Sequence, residues 1–234
     1  MHTLNSKTFV VSLGGSIIIP KEGFDIDFLR EFTLFIKNRI AKGYQFYIVC
    51  GGGTTCRQYQ RAAIEIDPSL HQNDIDWIGI HTTIYNAHFI HALFKDLPYP
   101  KIISDYDQID PQVTDYPLII GAGWKPGYSS DMESVLLADK LKVKTVINLS
   151  NIDMVYDQDP HEFPDARPIP TMSWDEFISI IGTDWKPGLN TPFDPIAAQK
   201  AKDLCLKVII CNGKNLPNLE NILAGKEFTG TVVE

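Results

Sequence analysis

The sequence predicts an α/β fold with a largely parallel core sheet. Three observations carry that prediction. Strand-like and helix-like segments alternate through nearly all of the 234 residues. Two early apolar strands run directly into glycine turns, Gly14-Gly15-Ser16 and Gly51-Gly52-Gly53. No linker, low-complexity stretch or charge block divides the chain.

Taken in order, residues 9–13 form a short β-branched strand. Asp25 or Asp27 caps a helix that carries Phe28, Phe32, Phe35, Ile36 and Ile40 on one stripe and closes at Gly43. Residues 44–50 form the second strand, followed by helices at 55–66 and 76–95 and a short strand at 101–104. Another strand spans 118–121, a loop 123–130 and a helix 131–141. A strand at 145–149 opens into the Asn/Asp-rich loop 150–160. Helices are expected at 174–181 and 194–206, a strand at 208–211, and a closing edge strand at 230–233.

At this length and with 44% apolar residues, one domain of two lobes is expected, with a sizeable core. Lys and Arg number 21 against 29 Asp and Glu, a formal charge of −8, which argues against broad nucleic-acid binding. No apolar run approaches the ~20 residues that cross a bilayer. The first one, 9–19, is broken by Gly14, Gly15 and Ser16, and no leader pattern frames it. The expectation is a soluble, cytoplasmic protein without a membrane partner. Cys50 to Cys56 and Cys205 to Cys211 are both spaced C-x5-C, longer than zinc knuckles. Cys50, Cys205 and Cys211 lie in apolar runs and read as buried thiols.

Ligands of parallel sheets sit beyond the carboxyl ends of the strands. Glycines there let backbone N–H groups approach a phosphate, and a following helix adds its N-terminal dipole. The two turns match neither the P-loop nor the dinucleotide pattern, and a tight-turn role for each glycine stays open. Arg57, one turn into the helix after Gly53, suits a phosphate or a surface carboxylate. Asp131 and Asp194 are helix-cap candidates. As a pair they could also hold Mg²⁺ or orient a basic group at a transferring phosphate. Trp124-Lys125-Pro126-Gly127 before Asp131 echoes Trp185-Lys186-Pro187-Gly188 before Asp194, either by chance or because both loops face one site. His81, His88 and His91 share a predicted helix and read as packing or interface residues rather than zinc ligands. No hydrolase elbow, zincin motif or Cys-His nucleophile is present.

Several of these segments, in order, resemble the amino acid kinase superfamily and, within it, the archaeal-type uridylate (UMP) kinases. They are Val10 through Ser16, Val49 through Gly53, Asp76-Trp77-Ile78-Gly79-Ile80, Gly127 through Asp131, Asn151 through Pro160, Phe193 through Ala198 and Gly230-Thr231-Val232-Val233. The resemblance spans essentially the whole chain. It implies a three-layer αβα sandwich that transfers a phosphoryl group from ATP, with Mg²⁺, to a nucleoside monophosphate, UMP to UDP. The acceptor would lie over a lobe of about 1–125 and ATP over a lobe of about 126–234.

By the matching motifs, Gly14, Gly15, Gly52 and Gly53 would cradle phosphates and Arg57 would bind the acceptor phosphate. Asp76 would hold the ribose, and Tyr128, Ser129 and Ser130 would recognise the base. Asp131 and Asp194 would lie by the transferring phosphate. Asn151, Asp153, Tyr156 and Asp159 would form the ATP loop, and a dimer or hexamer would form near the long helix. Three departures stand out: Ser12 replaces a lysine on the ATP side of the site, Met154 replaces a glycine, and Trp124 and Trp185 are atypical. Lys125 and Lys186 are the expected replacements for the missing cation. Two alternatives stay open. One is the same fold with isopentenyl phosphate, a carbamate or an amino-acid carboxylate as acceptor. The other is a nucleotide- or oxyanion-binding protein that has lost catalysis.

Overall fold

The computed structural model describes residues 7–158, 160, 162–182 and 191–234. Its first strand, β1 (Thr8–Leu13), shows the logic of the whole sheet. Phe9, Val11 and Leu13 face one apolar cluster, whereas Val10 faces another. A strand covered on both faces reads as a continuous apolar run because successive side chains point to opposite sides. The same period of two sends Ser12 to the Val10 side.

β1 pairs in parallel with β2 (Gln45–Cys50) and β4 (Thr145–Ser150), β2 with β3 (Leu118–Gly121), and β4 with β8 (Lys207–Asn212). The seven-stranded order is β3-β2-β1-β4-β8-β9-β7, with β7 at Thr171–Met172 and β9 at Thr231–Val233. A separate ribbon joins β5 (Val155–Tyr156) to β6 (Pro168–Ile169). Strand β9 runs antiparallel to β8 and pairs with β7 on its other side, so the edge expected at 230–233 belongs to β7 instead. The strand expected at 101–104 is reduced to an isolated bridge, Ile103 to Gly121.

Helices α2 (Ile26–Ile40), α4 (Gln72–Phe94) and α8 (Leu216–Leu223) cover one face of the sheet. Helices α5 (Ser130–Lys140), α6 (Trp174–Ile181) and α7 (Pro195–Asp203) cover the other. The expected three-layer sandwich is therefore present. Asp25, not Asp27, caps α2, its carboxylate accepting Phe28 N–H at 3.1 Å. Phe28, Phe32 and Ile36 deliver the buried stripe, each worth about 1.5–3 kcal/mol of apolar burial. A four-residue turn of helix, α1 (Gly15–Ile18), and helix α3 (Gly53–Ile66) begin directly at the two glycine turns. Cys50 and Cys211 are buried as expected. Cys205 is exposed, because it takes a left-handed φ of 49° in the turn after α7, and Leu206 fills the core position.

Candidate active site

Strand order reverses at β1. From β1 the chain builds outward through β2 to β3, then returns to β1's other side with β4 and β8. At such a switch point the loops beyond the carboxyl ends part and leave a crevice. The two glycine turns meet there. Gly53 has a φ of 72°, and a Cβ on Gly15 would overlap Gly53 N, while a Cβ on Gly51 would stand 2.5 Å from Gly15 N. Backbone packs on backbone, and only glycine permits it. Asn86, buried on α4, donates to the carbonyls of Gly51 and Gly52 at 2.8 and 3.1 Å and fixes the second turn from beneath.

A cleft of about 670 Å³ opens above these turns, a size suited to a nucleotide. Gly15, Gly52, Gly53, Arg57, Asp76, Tyr128, Ser129 and Ser130 all line it, so the structure brings the expected acceptor-side residues together. Gly14 lies just below, its N–H bonded to Leu149 O at 3.0 Å. Arg57 is exposed, and among the described residues its side chain is held by a 3.3 Å bond to Thr54 Oγ1. Among the described residues no side chain caps the first turn of α3; Thr54 N–H there donates to Ile19 O at 3.2 Å, and the remaining N–H groups of the turn are available to a ligand. Asp76 accepts Gly127 N–H at 2.8 Å and ties α4 to the loop 124–130. Ser129 caps α5 through Met132 N–H.

Asp131 sits in the first turn of α5, on the face toward which Ser12 points. Its Oδ1 accepts the Ser12 hydroxyl at 3.0 Å and its Oδ2 accepts Asp194 N–H at 3.1 Å. Burial pushes its pKa up to about 7, and the Asp194 carboxylate adds to the rise. The Asp194 N–H and the Ser12 hydroxyl oppose it. Asp194 itself caps α7, Oδ1 accepting Ile196 and Ala197 N–H at 2.7 and 2.9 Å. Its Oδ2 has no partner among the described residues. Ser12 is fully buried and lines neither this cleft nor the two smaller spaces beside it.

A second pocket, of about 400 Å³, lies beyond β4. Asn151, Met154 and Tyr156 line it, between the β5–β6 ribbon and the end of α6. Asp153 is outside this wall, accepting Asn212 Nδ2 at 2.9 Å. A smaller hollow of about 290 Å³ holds Lys21, Arg57, Asn212 and Lys214. Asn151 borders all three spaces and is their joint. Lys125 lies 3.7 Å from the Trp124 ring centroid and 5.0 Å from that of Tyr128. It is stacked between two aromatics rather than part of the cleft wall. Lys186, with the whole second Trp-Lys-Pro-Gly segment, and Asp159 lie outside the described residues.

The model of the amino acid kinase family matches residues 7–212. The chain belongs to the amino acid kinase family. It is 32% identical to a uridylate kinase of Thermoplasma volcanium over 98% of both chains, and 29% identical to a uridylate kinase of Pyrococcus abyssi over 96% of this chain and 98% of that one. The crystal structure of uridylate kinase from Archaeoglobus fulgidus superposes with a TM-score of 0.81 at 27% identity, covering 97% of this chain and 99% of that one. A UMP kinase structure from Bacillus anthracis, at 19% identity and a TM-score of 0.79 over 97% and 96% of the two chains, repeats the fold.

Sequence reasoning about this amino acid kinase missed five lining or supporting residues: Lys21, Gln60, Thr83, Asn86 and Glu133. Asn86 and Glu133 carried a readable signal, since each is a polar residue set among apolar helix neighbours that turn inward. Thr83 Oγ1 accepts Gly123 N–H and donates to Ile80 O, both at 2.7 Å. That geometry depends on a 40-residue separation that no local pattern shows.

Proposed function

We propose that the chain transfers the γ-phosphoryl group of ATP to UMP, forming UDP and ADP. The observation that carries this reading is the junction at Asn151. There an acceptor-sized cleft beyond β1–β3 meets a second pocket beyond β4, one on each side of the switch point. The full-length likeness to uridylate kinases supports the choice of acceptor. On this reading the acceptor lies over about 1–125 and ATP over about 126–234.

The turns at Gly14–Gly15 and Gly52–Gly53 and the Arg57 guanidinium hold phosphate. Asp76 holds the ribose, and Tyr128, Ser129 and Ser130 close over the base. Asn151 and Tyr156, with Asp153 and Asp159 beside them, form the donor loop, and Ser12 acts through Asp131. An acceptor phosphate oxygen attacks the γ-phosphorus as the bond to the β-phosphate oxygen breaks. No covalent enzyme intermediate is needed, so positioning and charge stabilisation carry the rate. Lys125 and Lys186 are the proposed cations. Lys21, which borders both the cleft and the smaller hollow, is a third.

No group of three or more His, Cys, Asp or Glu side chains among the described residues builds a metal cage. The donor set instead fits Mg²⁺ carried in on the triphosphate, with the open oxygen of Asp194 and the neighbouring Asp131 to receive it. The ion would neutralise phosphate charge.

No helix among the described residues is long and apolar enough to cross a membrane; a cytoplasmic site of action is part of the proposal. Exposed Tyr59, Ile66, Trp77 and Tyr85 on α3 and α4 support self-association as a dimer or hexamer.

The test is ADP release from ATP and Mg²⁺ with UMP, CMP, AMP, isopentenyl phosphate or no acceptor. Selective turnover of UMP is expected. Binding of ATP without turnover of any acceptor would overturn the reading, and wild-type turnover in both Lys125→Ala and Lys186→Ala would remove those two lysines from it.

A further inference from the structure

We propose that Thr83 is a positioning residue for the acceptor: from the middle of α4 it sets where the base-facing loop 123–130 stands over the phosphate turns. The inference rests on the nucleoside monophosphate acceptor proposed above. Three strips of backbone in the cleft wall hang on one face of α4. Asp76 accepts Gly127 N–H at 2.8 Å, and Thr83 accepts Gly123 N–H at 2.7 Å. Asn86 donates to the carbonyls of Gly51 and Gly52 at 2.8 and 3.1 Å. Positions 76, 83 and 86 fall on one side of a helix with 3.6 residues per turn. The helix therefore holds the loop and the second glycine turn in register with each other, and Thr83 is the shortest of these ties.

The contact is set from both sides. The one hydroxyl proton of Thr83 goes to Ile80 O at 2.7 Å, so toward Gly123 the oxygen can only accept. Its methyl lies toward the second glycine turn, with Cγ2 3.8 Å from the place a Cβ on Gly52 would take. Gly123 meets the hydroxyl with no side chain of its own. A Cβ there would stand 2.7 Å from Thr83 Oγ1 and 3.0 Å from Ile80 Cα. The loop can come this close to α4 only while residue 83 offers an oxygen and residue 123 offers no Cβ. A methyl carbon in place of Oγ1 needs about 3.5 Å from Gly123 N, against the 2.7 Å of the hydrogen bond, so the loop would retreat by about 0.8 Å. Tyr128, Ser129 and Ser130 follow on the same loop. A displacement near 1 Å can cost about a hundredfold in rate even when it begins away from the reacting atoms. Thr83 and Gly123 border the acceptor cleft but neither the second pocket nor the smaller hollow, so the effect belongs to the acceptor and not to ATP.

The test measures kcat/KM for UMP and KM for ATP, with Mg²⁺, in wild type, Thr83→Val, Thr83→Ser and Gly123→Ala. Valine keeps the shape of threonine and removes the acceptor oxygen. Its kcat/KM for UMP should fall about tenfold or more, while KM for ATP stays within about twofold of wild type. Serine keeps the oxygen and should remain within about threefold of wild type for UMP. Gly123→Ala crowds the same contact from the opposite side and should repeat the valine result. The double variant should be little worse than either single one, because both break one contact. If Thr83 serves only to hold the fold together, valine will lower the melting temperature and leave kcat/KM for UMP near wild type, or will raise the KM for ATP equally. Either result overturns the proposal, as does a serine variant as impaired as valine. Should valine fail to fold, Thr83→Ala, which removes the oxygen without adding a clash, carries the same comparison. Wild-type turnover of UMP with variants that match it overturns the proposal and leaves the kinase reading intact. A wild type that turns over no acceptor removes the acceptor assignment, and the proposal with it.

Discussion

Replacing Asp131 by asparagine should stabilise the nucleotide-free protein progressively as pH rises. In the native state the Asp131 pKa is pushed up from 3.8 to about 7. Below both values the carboxyl is protonated whether the chain is folded or not, and it contributes nothing to the pH dependence. Between them the native state holds a proton that the unfolded chain releases, so native stability falls as pH rises, levelling off above about 7. Three units at 1.36 kcal/mol each come to at most about 4 kcal/mol.

The asparagine side chain cannot ionise. It can accept Asp194 N–H through its carbonyl and donate its amide to the Ser12 hydroxyl, so both native contacts survive in altered roles. Urea unfolding of both proteins at pH 5 and pH 8, without nucleotide, isolates the effect, because any constant offset cancels. The stability gap should widen in favour of the asparagine variant by about 2–3 kcal/mol between the two pH values. Turnover should fall in the same variant, since the group stands at the proposed transfer point. A gap that stays constant within about 0.5 kcal/mol, or that narrows, would refute the account of Asp131 as a carboxyl held protonated by burial.

Two further outcomes follow from neighbouring geometry. Arg57→Ala should raise the KM for UMP about tenfold or more, as expected when a charge-assisted phosphate contact is lost. Its melting temperature should hardly change, because the native side chain is exposed and has one 3.3 Å bond; an unchanged KM would place the phosphate elsewhere. Asn86→Ala should cost about 2–3 kcal/mol in urea unfolding, as one buried and one part-buried carbonyl of the glycine turn lose their donor. A loss below about 0.5 kcal/mol would show that the turn does not depend on α4.

What the sequence disclosed follows from how local each cause is. Helix α2 was readable because its cap, its aromatic stripe and its closing Gly43 lie within one stretch of chain. Helix α8 was not, since Asn215, Pro217 and Asn218 look like a loop. In the structure Asn215 caps it and Pro217 takes a first-turn position where its missing N–H does no harm. Strand β7 escaped for another reason: it is a two-residue piece, and only its pairing across about 60 residues with β9, the strand expected at 230–233, makes β7 the edge. The site divides the same way. Glycine turns and cap aspartates leave marks beside the strands and helices they end or begin, whereas Asn86 and Thr83 act on backbone 35 and 40 residues away.

Ser12 shows how a departure from the family pattern takes on meaning only in three dimensions. In the sequence it is a missing positive charge. In the structure its hydroxyl donates to a carboxyl whose pKa is raised to about 7. A lysine at this position would hold Asp131 ionised, as a cation at hydrogen-bond distance does. With serine there, burial leaves Asp131 about half protonated at pH 7. The junction has therefore given up one positive charge and, at pH 7, about half of one negative charge. The transferring phosphate would then find less opposing carboxylate charge than a simple count of Asp131 and Asp194 suggests. That reduces the cationic deficit that Lys21, Lys125 or Lys186 must make up.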